Sequence, residues 1–200
     1  MMQAQKQYDF RTKYTQGNFL TRRLLGGFFD AMADMLHGLQ IRDAFEIGCG
    51  EGFSTQQIRR MLPGATLEAA DVEDRLVDEA RRKNPGVMIT RESVYELPRT
   101  DRSADVVFLL EVLEHLSDPD KAMAEVCRVS RRYVLASVPR EPLWSMMNLS
   151  RLKYIRSLGN TPGHVQHWSA SRFGKFVSSH ASVLAVRKPL PWTMVLAEVR

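Results

Sequence analysis

The sequence contains few cysteines and no long apolar stretch. Its two cysteines, Cys49 and Cys127, belong to no spaced cysteine framework, so we expect no disulfide and a reducing compartment. No apolar run approaches the length that spans a bilayer, and the polar N-terminus lacks the apolar core and cleavage site of a signal peptide. These absences predict a cytoplasmic protein with no transmembrane segment. Internal repeats and low-complexity tracts are also missing, which excludes repeat architectures.

What the sequence does contain is the composition of one ordinary globular domain. Of its 200 residues, 44% are hydrophobic and 26% are charged, which is enough to bury a core but leaves no room for a second full domain. The formal net charge of +5 favours acidic partners such as phosphorylated substrates, nucleic acid or an anionic membrane. Because the lysines and arginines are scattered, however, we do not expect nucleic acid to be the partner.

Apolar runs alternate with amphipathic segments along most of the chain. Residues 1–17 are expected to form a polar arm, and the regular apolar spacing of residues 19–36 predicts an amphipathic helix. Further helices are predicted at 53–61, 75–83, 119–132, 143–158 and 170–179, and strands at 41–48, 65–71, 87–91, 104–110, 133–138, 183–187 and 193–199. This order predicts one α/β domain at 18–200. Its mostly parallel seven-stranded sheet would be flanked by helices and end in an antiparallel strand pair, with a small substrate cap at about 140–168.

Residues 44–54 join a strand to a helix through three alternating glycines, Gly48, Gly50 and Gly52. Glycines permit left-handed backbone and let a ligand approach closely, and such a loop brings peptide N–H groups to a helix N-terminus. A nucleotide-like ligand is therefore expected at the carboxyl end of the strand. The spacing is G-x-G-x-G, whereas the dinucleotide fingerprint G-x-G-x-x-G would need a small residue where Phe53 stands. A glycine-rich turn that binds nothing is the alternative.

With Glu46 in front of it, this loop reads E-x-G-x-G-x-G and resembles the first motif of the class I S-adenosylmethionine-dependent methyltransferases. The resemblance implies a Rossmann-like fold, S-adenosylmethionine as cofactor and S-adenosylhomocysteine as its product. It also implies that Glu46 orients the methionine amino group, and that the loop residues Gly48, Cys49, Gly50 and Gly52 contact the cofactor.

Two further segments follow in the order of that family. Asp71 ends the second predicted strand, about twenty residues after the loop glycines, where a βαβ unit places a carboxylate beside ribose hydroxyls. Capping of the helix at 75–83 is the alternative for Asp71. The resemblance adds Val72 to the cofactor contacts. It also implies that Glu92 accepts from the adenine amino group and that the N–H of Ser93 binds a ring nitrogen. A solvated loop glutamate is the alternative for Glu92.

Three histidines lie where a catalytic base could act. His115 follows the fourth predicted strand, and His164 and His167 lie in a loop before the last helix. Strand ends and loops often carry functional residues, and imidazole suits proton transfer from a hydroxyl near neutral pH. A structural role in the turn is the alternative for His115. The resemblance also places Glu111 near the cofactor.

Glu111, Glu114 and His115 form a Glu-x-x-Glu-His string that resembles the metal-binding pattern of some O-methyltransferases, including quinone-pathway and small-RNA 3′-end enzymes. If the string occupies one helical turn, its side chains could converge, with His164 or His167 completing a divalent-metal site. The same string also occurs in family members for which no metal is implied, so the metal stays open.

Together the motifs predict an S-adenosylmethionine-dependent methyltransferase acting on a small molecule. The similarity of the E-V-L-E-H-x-x-D-P string to ubiquinone-type O-methyltransferases favours oxygen as the acceptor atom. One alternative is a cofactor-binding module that has lost catalysis and acts by association, which turnover would distinguish. Another is a methyltransferase of RNA or protein, which for RNA predicts salt-sensitive binding.

Overall fold

The computed structural model describes residues 19–150, 161 and 163–200, without the side chain of residue 150. In this part of the chain seven strands form one sheet. The strands are β1 (Asp43–Ile47), β2 (Thr66–Asp71), β3 (Met88–Arg91), β4 (Ala104–Leu110), β5 (Ser130–Pro139), β6 (Ser182–Arg187) and β7 (Trp192–Glu198). The helices are α1 (Phe19–Leu36), α2 (Phe53–Met61), α3 (Asp74–Lys83), α4 (Pro119–Val129), α5 (Leu143–Ser150) and α6 (Ala170–His180), and a short 3-10 turn covers Leu113–His115.

The strand order in the sheet is β3, β2, β1, β4, β5, β7, β6. β1 pairs in parallel with both β2 and β4, whereas β5 pairs with β7 in antiparallel fashion. The chain therefore builds outwards from β1 to β3 and then returns to β4 on the other side of β1. Where the strand order reverses, the loops after the two adjacent strands diverge and leave a crevice at the carboxyl edge of the sheet. The glycine loop after β1 and the segment after β4 border this crevice.

Helices cover both faces of the sheet. The buried residues of α4 and α6 pack with the inner residues of β1, β4 and β5 on one face. The apolar stripe of α1 packs with other residues of the same strands and of β7 on the opposite face. β4 and β5 lie between these layers, and their continuous apolar sequences match burial on both faces.

The predicted α/β fold and the antiparallel end of its sheet are confirmed. One boundary is wrong, because Arg131 and Arg132 do not close α4 but lie in β5, which begins directly after that helix. Arg131 pairs with Asp105 across the sheet. The predicted helix at 143–158 is described as far as Ser150, and the predicted arm at 1–17 lies outside the described residues. Among the residues that are described, no helix is both long and apolar enough to cross a membrane.

Candidate functional site

Three glycines shape the loop between β1 and α2. Gly48, Gly50 and Gly52 have φ values of 78°, 54° and 77°, a region that side chains disfavour. A Cβ atom on Gly48 would lie 2.3 Å from Cγ2 of Val112, and one on Gly52 would lie 2.3 Å from Nδ2 of Asn84. A Cβ atom on Gly50 would meet no described atom within 4 Å. Two glycines therefore permit close packing inside the protein, and Gly50 faces open space.

The N–H groups of this loop are used within the fold. Those of Gly48 and Cys49 donate to the carbonyl oxygen of Ala70 at 2.8 and 3.0 Å. That of Gly50 donates to Oδ2 of Asp71 at 2.9 Å. This corrects the expectation that the loop offers these donors to a ligand, because they attach the loop to β2 instead. What the loop offers a ligand is the space beside Gly50.

Glu46 lies in β1 beneath the glycine loop and is fully buried. Burial raises the pKa of its carboxyl from 4.5 to about 7, and the nearby Asp71 carboxylate adds to the rise. Oγ1 of Thr55, in the first turn of α2, donates to Oε2 of Glu46 at 2.5 Å. The other oxygen, Oε1, is buried and has no hydrogen-bond partner in the described part of the chain. A buried acceptor without a donor is costly, so this atom suits a ligand that brings one.

Asp71 ends β2 and is only 7% exposed. Besides the bond from Gly50 it accepts one from the N–H of Glu73, at 3.1 Å to Oδ1. Glu73 is the cap residue of α3, so Asp71 binds the backbone just before that helix without capping it directly. Each carboxylate oxygen retains a second lone pair, so a ribose contact is compatible with these bonds and stays a prediction. Val72, the next residue, is 56% exposed.

Glu92 follows β3 and is buried, so the alternative of a solvated loop glutamate is wrong. Its Oε1 accepts from Oγ1 of Thr90 at 2.5 Å and from Nη2 of Arg99 at 2.9 Å. Its Oε2 accepts from Nε of Arg99 at 2.9 Å. Oγ of Ser93 accepts from the N–H of Tyr95 at 3.4 Å. The adenine contacts of Glu92 and Ser93 stay predictions, and nothing in the sequence pointed to Arg99.

Glu111 follows β4 with a φ of 58°, which for a residue other than glycine costs roughly 1 kcal/mol. Oγ of Ser137 donates to its Oε1 at 3.0 Å, and Nε1 of Trp192 donates to its Oε2 at 2.6 Å. These bonds hold the carboxylate against β5 and β7. Its predicted contact with the cofactor stays a prediction.

Glu114, His115 and His164 lie together at the carboxyl edge of the sheet. One potential ligand atom from each lies within 4.8 Å of the others, and the two imidazole centroids are 4.9 Å apart. Glu114 is buried, whereas the side chain of His115 is 41% exposed. Nδ1 of His115 lies 3.0 Å from the carbonyl oxygen of Gly163, and the N–H of Val165 donates to the carbonyl oxygen of Glu114 at 2.8 Å. The loop before α6 is thereby bound to the turn after β4.

Two residues that were predicted near this group lie elsewhere. The 3-10 turn begins only at Leu113, and Glu111 precedes it in left-handed backbone. The two glutamates therefore do not share a helical face, and the predicted convergence of Glu111 with Glu114 is wrong. His167 lies outside the group, with its Nδ1 3.9 Å from Oε1 of Glu141.

Tryptophans connect the histidines to α1 and α5. The ring of Trp144 stacks on that of His164 with centroids 6.2 Å apart, and it lies 6.2 Å from the ring of Trp192. Nε1 of Trp144 donates to Oγ1 of Thr161 at 2.9 Å. Trp192 packs against Phe28 of α1 with centroids 5.1 Å apart. These contacts bring α5 to the histidines, and the substrate cap at about 140–168 stays a prediction. Sequence reasoning missed the part that Trp192 plays.

Comparisons with known proteins agree with this geometry. The family described as a methyltransferase domain matches residues 45–134. A probable S-adenosylmethionine-dependent methyltransferase of Mycobacterium tuberculosis is 36% identical over 90 residues, which cover 45% of this chain and 32% of that protein. A ubiquinone biosynthesis O-methyltransferase of Rhizobium etli is 32% identical over 100 residues, which cover 48% and 38%. These similarities support a class I S-adenosylmethionine-dependent methyltransferase.

Solved structures of methyltransferases share the fold along nearly the whole chain. Magnesium protoporphyrin IX methyltransferase from Synechocystis, with bound S-adenosylhomocysteine, has a TM-score of 0.69 at 19% identity and covers 96% of this chain and 93% of its own. A methyltransferase from Aquifex aeolicus has a TM-score of 0.71 at 18% identity and covers 97% and 100%. At these identities the likeness shows the fold alone. The chain spans about a third of the length of the first curated relatives it matches.

S-adenosylmethionine is the cofactor of this methyltransferase family, and the residues of the loop fit it. Oε1 of Glu46 is a buried acceptor for which the described residues supply no hydrogen-bond donor within bonding distance, and the methionine end of the cofactor carries a cationic amino group. Gly50 leaves room beside the loop, whereas a side chain there would project into it. The glycine-rich turn that binds nothing is therefore the poorer explanation of these residues.

Proposed function

We propose that the protein transfers a methyl group from S-adenosylmethionine to a hydroxyl oxygen of a small molecule. The observation that supports this most directly is the position of His115 and His164 at the same crevice as the glycine loop. Val112 packs against Gly48 of that loop and stands three residues before His115. This packing supports the proposal that His115 and the glycine loop act at one site along the carboxyl edge of the sheet.

The predicted cofactor residues would contact three different parts of the ligand. Glu46 would bind the amino group, Asp71 would accept from the ribose hydroxyls, and Glu92 would accept from the adenine amino group. The remaining contacts would come from Gly48, Cys49, Gly50 and Gly52 around the methionine end, and from Val72 and Ser93 at the nucleobase. When bound, the cofactor supplies a methyl group on a positively charged sulfur. The protein then has to align the acceptor oxygen with the methyl carbon and exclude water.

His115 is suited to take the acceptor's proton. The carbonyl oxygen of Gly163 can only accept, so Nδ1 of His115 carries the hydrogen and Nε2 holds the lone pair of the neutral ring. When the acceptor oxygen takes the methyl group and the sulfur–methyl bond of the cofactor breaks, the proton of the hydroxyl would pass to Nε2. Oε1 of Glu114 lies 4.0 Å from Nε2, and its negative charge stabilises the imidazolium that forms. His164, edge-on to His115, would orient the acceptor.

An acceptor screen coupled to release of S-adenosylhomocysteine tests this function. Phenols, carboxylic acids, amines and RNA would be compared with the wild type and with His115→Ala. The matched control is His37→Ala, because His37 is exposed in the turn after α1. We expect turnover with a hydroxyl acceptor, and a loss of about 10²- to 10⁴-fold in His115→Ala with unchanged affinity for S-adenosylhomocysteine.

Other outcomes of the screen would identify the alternatives. Turnover with amines alone would contradict oxygen as the acceptor atom, and equal rates in the two histidine variants would contradict the role of His115. Cofactor binding without turnover on any acceptor would favour a binding module. Salt-sensitive turnover on RNA would favour a nucleic-acid methyltransferase.

A second candidate adds a divalent cation to the same crevice, held by Glu114, His115 and His164. The mutual distances of 4.8 Å or less place their ligand atoms within reach of one ion. A set of two imidazoles and one carboxylate suits zinc and manganese better than it suits magnesium, which prefers oxygen ligands. Such an ion would bind the oxygens of the acceptor and lower the pKa of the bound hydroxyl.

Titration of Mg²⁺, Mn²⁺ and Zn²⁺ into chelator-treated protein tests this candidate by calorimetry as well as by turnover. We expect one saturable site that is lost in Glu114→Gln and retained in Glu96→Gln, because Glu96 is exposed in the loop after β3. Unchanged binding and unchanged turnover with all three ions would end the metal hypothesis.

A further inference from the structure

Arg99 and Glu92 form a buried ion pair at the edge of the sheet where the nucleobase is expected. The side chain of Glu92 is 5% exposed and that of Arg99 is 14% exposed. Two nitrogens of the guanidinium donate to the two oxygens of the carboxylate, both at 2.9 Å. This fork geometry fixes the carboxylate in one plane and one orientation.

Arg99 is itself held on several sides. Its Nη1 donates to Oε2 of Glu68 at 2.6 Å, and its Cζ lies 3.6 Å from the ring centroid of Phe45. Nη1 of Arg128 donates to its carbonyl oxygen at 2.7 Å. Burial lowers the pKa of Arg99, but its hydrogen bonds to Glu92 and Glu68 hold the pKa above the usual value. The guanidinium is therefore a fixed positive charge beside the Glu92 carboxylate.

The hydrogen bonds to Glu92 leave it one acceptor position. Its Oε1 already accepts from Thr90 and Arg99, whereas among the described residues only Arg99 donates to Oε2. An ionised carboxylate has no hydrogen to donate, and each of its oxygens accepts about two. The free position on Oε2 can therefore take an N–H and repels a carbonyl oxygen.

We propose that Arg99 is a positioning residue that makes Glu92 an acceptor-only reader of the nucleobase, so that the site selects a 6-amino over a 6-oxo purine nucleoside. The proposal rests on the proposed function, because it needs the cofactor's nucleobase at Glu92. Without Arg99, a carboxyl this deeply buried binds a proton more readily, and a protonated carboxyl can donate to an oxo group as well as accept from an amino group. Arg99 thus controls selectivity by way of the charge of Glu92.

Competition calorimetry with two ligands tests the proposal. The ligands are S-adenosylhomocysteine and its 6-oxo analogue S-inosylhomocysteine, and the measured quantity is the ratio of their dissociation constants near pH 6 and near pH 8. In the wild type we expect a preference of about tenfold or more for the amino compound at both pH values. In Arg99→Met we expect the ratio to fall to about threefold or less near pH 6 and to recover as the pH rises. If Arg99 had a purely structural role, Arg99→Met would bind both ligands more weakly by the same factor, and the ratio of their dissociation constants would not change.

Three further variants test which side chain causes the preference for the amino compound. Glu68→Gln removes the other partner of Arg99 and is expected to keep the wild-type ratio. Glu92→Gln, whose amide can donate, is expected to lose the preference. Arg99→Lys keeps the charge, and so it should retain the preference near pH 6 as well as near pH 8, which tests the role of the charge even if Arg99→Met does not fold.

The outcomes separate this proposal from the proposed function. If the wild type binds both ligands but Glu92→Gln and Arg99→Met keep its ratio, or if the preference is missing in the wild type, the reading role is overturned while cofactor binding stands. If the wild type binds neither ligand, the proposed function fails, and this inference fails with it.

Discussion

Glu46→Gln is expected to stabilise the folded protein at alkaline pH while weakening cofactor binding. Glu46 is fully buried, and burial raises its pKa from 4.5 to about 7. A difference of this size between the folded and unfolded states corresponds to about 3 kcal/mol in the free energy of unfolding. Gln has nearly the same shape and no charge to bury.

The sign of the pH dependence follows from proton binding. Because the pKa of Glu46 is higher in the folded state, the folded protein binds this proton more tightly than the unfolded chain does. The resulting stabilisation is complete below the unfolded pKa of 4.5 and is lost as the pH rises to about 7. The variant has no such proton to lose. Its stability relative to the wild type should therefore increase by about 3 kcal/mol between these limits.

Urea unfolding followed by tryptophan fluorescence, near pH 5 and near pH 8, measures this difference. Glu96→Gln serves as control because its carboxylate is exposed. If the free energies of unfolding of Glu46→Gln and wild type differ by the same amount at both pH values, Glu46 is not a buried carboxyl that binds a proton on folding.

The same variant should bind S-adenosylhomocysteine about tenfold or more weakly, because the cationic amino group would lose its ionised partner. Wild-type affinity in this variant would refute the contact between Glu46 and the cofactor.

Three further substitutions probe the crevice. Gly50→Ala should cost about 1 kcal/mol of stability because φ is 54°, and should reduce S-adenosylhomocysteine affinity at least about tenfold by calorimetry, whereas Gly64→Ala should do neither. Asp71→Ala should weaken cofactor binding by about 1 to 3 kcal/mol, and unaltered affinity would count against the ribose contact. His164→Ala should lower turnover more than cofactor affinity in steady-state and binding assays, and the reverse order would assign His164 to the cofactor instead.

Local sequence patterns were sufficient to predict the strands, most helices and the glycine loop. The loop could be recognised because its requirement is local: Gly48, Gly50 and Gly52 each need positive φ, and the strand before them and the helix after them have their own periodicity. Asp71 could be placed because a single crossover separates it from the loop.

Contacts between distant segments could not be predicted in the same way. Glu111 and Trp192 are 81 residues apart, and no period or motif relates them. Similarly, two histidines stood in the loop before α6, and His164 meets His115 in a fold where Val165 and Gln166 donate backbone hydrogen bonds to Glu114, 50 residues or more away in the sequence. The left-handed backbone of Glu111 was also unforeseen, and Glu111 is not among the residues whose potential ligand atoms lie together at His115.

The ion pair of Arg99 with Glu92 illustrates why an acid in a motif does not reveal its environment. A glutamate after a strand is compatible with solvent, with a ligand or with a buried cation. The choice depends on the path of the loop at residues 97–99, which Arg128 fixes through hydrogen bonds to the carbonyl oxygens of Leu97 and Arg99.

Calorimetric titration of S-adenosylhomocysteine into the purified protein tests the central claim most directly. One ligand per chain should bind with a dissociation constant of about 1 μM to 1 mM, S-adenosylmethionine should compete for the same site, and Gly50→Ala should bind both more weakly. Absence of binding heat with both nucleosides at several temperatures, in a protein that unfolds cooperatively, would contradict the account.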